Sequence, residues 1–122
     1  MQSNTFHLPL GDIYYSQDSV ARHFQDGRAL TDLEEGLRLG TTSIQRVPTI
    51  TVVDHDGRWF SVDNRRLLVF KRVYTDSTVI PVLVGQHDQE FRRKFTTKNN
   101  GETITVRPRW GKGRGTPNTF EC

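Results

Sequence analysis

Two adjacent arginines, Arg65 and Arg66, stand where a strand-like run (residues 58–62) gives way to a helix-like one (residues 64–74). Asp63 or Asn64 is a good N-cap, which places both arginines in the first helical turn. A helix start already carries partial positive charge and free N–H groups, so cations there cost a few tenths to about 1 kcal/mol. An anion resolves the conflict, because backbone N–H groups and guanidinium forks would converge on the same oxygens. The plainer alternative is that one arginine pairs with Asp63 or another local carboxylate while the other lies in solvent, as most surface arginines do. Asp63 would repel a bare phosphate, but with Mg²⁺ between them it would help to hold one.

The elements that must position this turn are marked locally. Residues 49–54, following Pro48, are a β-branched run suited to a buried strand, and Asp56-Gly57 is the strongest hairpin signal in the chain. Trp59, Phe60 and Val62 form the returning strand. Leu67, Phe70 and Val73 or Tyr74 recur at helical spacing, and residues 79–84 are a second apolar run of strand length. Upstream, Asp18 or Ser19 is expected to cap a short helix through Phe24, stopped by Asp26-Gly27. A second helix has a capping box in Thr31 and Glu34, an apolar stripe in Leu30, Leu33 and Leu37, and a stop at Gly40. Residues 6–15 suit a short strand and turn, residues 86–95 a further helix, and residues 103–106 a last strand. The expected fold is α+β, a small mixed sheet with helices packed on it.

Residues 48–84 resemble the core of the ParB/sulfiredoxin superfamily. Its pattern is a Pro-preceded strand, a β-turn, an aromatic-containing strand ending in a Gly-Glu-Arg-Arg or Gly-Cys-His-Arg box, a helix, and an Ile-Pro-Val strand. Here the box is Asp63-Asn64-Arg65-Arg66 and the last strand holds Ile80-Pro81-Val82. In that superfamily the box meets nucleotide or nucleic-acid phosphate, so the resemblance implies Asn64, Arg65 and Arg66 as phosphate ligands. The superfamily includes ParB-like nucleases, which implies Mg²⁺-dependent hydrolysis of a phosphodiester or nucleotide, with a nucleoside triphosphate among the implied ligands. Arg66 would then stabilise transition-state charge, and Asp63, aided by Asp18, would hold the metal. Asn64 stands where sulfiredoxin has its catalytic Cys, which excludes a thiol intermediate. Two other functions fit the same resemblance: a non-catalytic DNA- or nucleotide-binding module, and a small-molecule kinase or phosphotransferase.

Other polar clusters have simpler explanations. Asp54, His55 and Asp56 alternate across a strand and Asp56 is wanted by the hairpin, so they do not read as a metal cluster. His87 and Asp88 read as a helix start, and His7 and His23 have no zinc-like spacing. In Ser16-Gln17-Asp18-Ser19, Gln17 could contact a base or ribose, whereas Asp18 and Ser19 read first as caps. Arg92, Arg93, Lys94 and Lys98 suit a nucleic-acid backbone; Arg107, Arg109, Lys112 and Arg114, interleaved with Trp110, suit a strand with a stacked base.

The 122 residues fit one domain (residues 1–106) with a basic, Gly-rich tail (residues 107–122), and the formal charge of +3 permits an anionic partner without demanding one. The single cysteine, Cys122, allows no internal disulfide. With no apolar run of membrane-spanning length and no signal-peptide pattern in residues 1–7, no membrane partner and a cytoplasmic or nuclear location are expected.

Overall fold

A computed structural model describes residues 5–108. Its centre is a five-stranded mixed sheet of order β1-β6-β4-β5-β2, formed by β1 (Thr5–Pro9), β2 (Ile13–Tyr15), β4 (Ile50–His55), β5 (Arg58–Ser61) and β6 (Val79–Val84). A second, two-stranded sheet pairs β3 (Ser19–Val20) in parallel with β7 (Thr105–Val106). The architecture is mixed α/β, as expected from the alternation of strand and helix signals.

The hairpin forms where the sequence places it. Asp56 and Gly57 both adopt positive φ, 54° and 82°, the conformation whose twist matches the flanking strands. β4 and β5 then run antiparallel, with Val53 opposite Phe60 and Asp54 opposite Trp59. α2 (Asn64–Val73) carries the chain from β5 across to β6, which lies parallel to β4 with Ile50 opposite Val82.

Because side chains alternate across a strand, Val52 and Val53 face opposite sides of the sheet. On the Val52 side, Ile50, Val52, Ile80 and Val82 meet Leu67, Leu68, Val69 and Phe70 of α2 and Leu30 and Leu37 of α1 (Leu30–Leu39). α1 packs on α2, and Gly40 ends it in the left-handed conformation. On the Val53 side there is only a small cluster: Val53, Phe60 and Phe91, with Tyr14 and Phe95 against it. Phe91 belongs to α3 (Gln89–Lys94), whose first turn is capped by the Asp88 carboxylate accepting from the Phe91 N–H at 2.9 Å.

Two expectations fail. Residues 18–24 are not helical, because Ser19 and Val20 extend to pair with Thr105 and Val106, and the chain then turns at Gly27. Thr31 is not a cap, since α1 already begins at Leu30 after an uncapping Ala29; Glu34 instead accepts from Arg38 at 2.8 Å and Arg72 at 3.4 Å. Among the described residues no helix is long and apolar enough to cross a membrane. Trp110 and the basic residues Arg109, Lys112 and Arg114 lie outside the described residues.

Candidate functional site

The turn from β5 into α2 is tied down from every side. Asn64 is almost fully buried; its Oδ1 accepts from the Ser16 N–H at 2.8 Å, and its Nδ2 donates to Ser16 Oγ at 3.0 Å and Gln17 Oε1 at 3.3 Å. Ser16 Oγ in turn donates to the Ser61 carbonyl at 2.7 Å, so a closed polar network joins the end of β2 to the start of α2. A buried amide with this many partners fixes geometry, and the structure gives Asn64 that task.

Asp63 and Arg66 form a second clamp. Asp63 occupies the N-cap position, but its side chain does not cap. Its Oδ2 accepts from the Thr51 N–H at 2.7 Å and its Oδ1 from Arg66 Nη2 at 2.9 Å. Arg66 Nη1 also donates to the Pro48 carbonyl at 2.6 Å. The pair therefore pins α2 to the start of β4, as the plainer reading expects of one of the two adjacent arginines. Asp18 is held elsewhere, accepting from Thr96 at 3.3 Å and pairing with Lys98 at 3.6 Å. The two carboxylates sit in separate hydrogen-bond sets, and among the described residues no group of three or more His, Cys, Asp or Glu side chains gathers.

Arg65 has a different position. Its Nη1 donates to the His23 carbonyl at 2.8 Å, and the side chain lines a cavity of about 550 Å³. Ser16, Gln17 and Ser19 form one wall, Thr51, Val53 and Gly85 lie under it, and Glu90, Phe91 and Lys94 of α3 form another. Arg107 closes the rim: its backbone N–H donates to the Val20 carbonyl at 2.8 Å and its Nη1 to Ser19 Oγ at 3.0 Å. Three cations, Arg65, Lys94 and Arg107, thus border one polar cavity beside an α2 start that no side chain caps. Lys94 is shared with Glu90 at 3.0 Å.

Of the basic run, Lys94 borders the cavity, Lys98 pairs with Asp18, and Arg92 donates to the His87 carbonyl at 3.3 Å. Arg93 is exposed on the short α3. Arg107, read from the sequence as tail, is part of the folded unit because β7 docks on β3. No signal near Arg107 itself marks this; its partner is β3, far away in the chain.

A second grouping joins two histidines that stand in separate sequence contexts, His55 at the hairpin and His87 ahead of α3. His55 Nδ1 and His87 Nε2 are 2.7 Å apart, their rings within 16° of coplanar. No family model matches the chain, and no curated protein or solved structure matches it significantly.

Proposed function

We propose that the protein is a nucleotide or nucleic-acid phosphate-binding domain of the ParB/sulfiredoxin kind, working as a binding module. The observation that carries this reading is the polar cavity of about 550 Å³ bordered by Arg65, Lys94 and Arg107. Guanidinium groups match phosphate oxygens two at a time, and Lys94 adds a point charge. Gln17 and Gln86, also on the lining, offer amides to a base or ribose. Among the box residues, Arg65 is the phosphate ligand, while Asn64, Asp63 and Arg66 set the shape of the turn that presents it.

Binding to a nucleotide panel and a short DNA duplex, with and without Mg²⁺, tests the reading against Arg65→Ala and Arg107→Ala. Affinity that falls at least about tenfold in each variant, with the fold intact, is the expected result. No binding by the unaltered protein to any probe would overturn it. Product formed in the same tubes and abolished by EDTA would move the assignment from module to Mg²⁺-dependent nuclease or nucleotide hydrolase.

A further inference from the structure

The contact between His55 and His87 is a hydrogen bond made head-on. Two stacked rings could not bring ring nitrogens to 2.7 Å, whereas rings meeting edge to edge and nearly coplanar give both that distance and the 4.9 Å between centroids. Their lone-pair directions point at each other along one line. A metal ion needs them to converge on a third point further away, so this is the geometry of a shared proton.

The neighbours favour one assignment of the protons. Arg92 Nη1 lies 3.5 Å from His87 Nδ1, and a guanidinium only donates, so Nδ1 is the acceptor and the His87 proton is on Nε2. His87 Nε2–H then donates to His55 Nδ1, and the His55 proton is on Nε2, 3.6 Å from the Asp56 carboxylate. Phe60, Phe91 and Phe95 lie around His55 and Phe91 beside His87, while Arg58 stands opposite His55 across the hairpin and is engaged with Glu102 at 3.9 Å. Asp88, next in the chain, is occupied in capping α3.

This chain of donors runs in one direction and holds a single proton between the rings, so the bond survives a first added proton and not a second. A first added proton puts N–H on His87 Nδ1, facing the Arg92 donor. A second puts N–H on both facing nitrogens, which breaks the bond between the rings and sets two positive charges together. Histidine is the side chain whose charge ordinarily changes between about pH 5 and 8.

We propose that His55 and His87 form a proton-operated latch that holds α3 on the β4–β5 hairpin at neutral pH and releases it on acidification. α3 carries Glu90, Phe91 and Lys94 of the cavity wall, so release also loosens the cavity; this second consequence rests on the phosphate-binding reading above.

Hydrogen exchange of the Phe91 and Arg92 amides, expressed as protection factors at about pH 7.5 and about pH 5, tests the latch without any ligand. In the unaltered protein protection should fall about tenfold or more at the lower pH. In His87→Gln it should stay level, because an amide can donate to neutral His55 or accept from charged His55 and never gains a proton itself. His55→Asn is the second variant and should behave likewise. Equal protection at both pH values in the unaltered protein, or an equal fall in the variants, would overturn the proposal. A thymidine oligonucleotide, whose charge is the same at both pH values, supplies the second readout. Its affinity should drop on acidification in the unaltered protein and not in His87→Gln; equal changes in both would overturn the link to the cavity. Absence of oligonucleotide binding at either pH would count against the phosphate-binding reading, and the amide data would still decide the latch.

Discussion

The two faces of the central sheet are built from different materials. One is an aliphatic core under two ten-residue helices, continuous from Leu10 to Val82. The other is three buried residues, a handful of aromatic rings and two histidines under a six-residue helix. Burial of aliphatic side chains stabilises without regard to charge or pH, whereas the aromatic-histidine face borders the cavity and depends on proton positions. The first face should decide whether the chain folds, and the second what it does once folded.

The largest effect should come from emptying the first face. Leu67→Ala removes a fully buried side chain and should cost about 2–5 kcal/mol by chemical denaturation. A comparably large loss from Phe95→Ala would break the comparison, since Phe95 is only partly buried. Next comes Tyr15, whose phenol burial pushes up to about 12. The unfolded chain releases that proton near pH 10 and the folded chain does not, so stability present below about pH 10 should be lost by about 2–3 kcal/mol as pH rises to 12. Lys71, lowered chiefly by desolvation, acts in the opposite direction, so the measurement is the difference in urea midpoints between the unaltered protein and Tyr15→Phe. The variant should lack the alkaline fall.

Smaller changes separate scaffold from ligand within the Asp63-Asn64-Arg65-Arg66 turn. Asn64→Ala strands the Ser16 N–H, removes the donor to the Ser16 hydroxyl and should cost about 1–3 kcal/mol in thermal or denaturant unfolding. Arg66→Lys, which cannot reach Pro48 and Asp63 with one planar fork, should cost about 1 kcal/mol. Arg65→Ala should change stability by no more than about 0.5 kcal/mol, its damage appearing in phosphate binding alone. Equal destabilisation by Arg65→Ala and Arg66→Lys would erase the distinction between them.

Much of the fold is legible because its signals are local. The hairpin needs two residues at positive φ and has Asp56-Gly57; α2 has its apolar positions at helical spacing; β4 is a β-branched run. β3 fails for the converse reason. Asp18 and Ser19 look like caps, and only the distant Thr105–Val106 makes Ser19–Val20 a strand. The site divides in the same way. Two arginines at a helix start are visible in sequence, but their separate duties depend on carbonyls at Pro48 and His23 that sequence does not place there. The His55–His87 contact joins a hairpin end to a loop after β6, and no spacing rule predicts it.

The parallel pairing of β3 with β7 also sets an order of assembly. The last buried member of the aliphatic core in chain order is Val82, yet Arg107 reaches the cavity rim only after Thr105 and Val106 have found Ser19 and Val20. Contacts between such distant segments are slow to form because a long loop must close first. During synthesis the hydrophobic scaffold can collapse while the last rim of the cavity is still unmade, so binding competence should trail the appearance of stable structure.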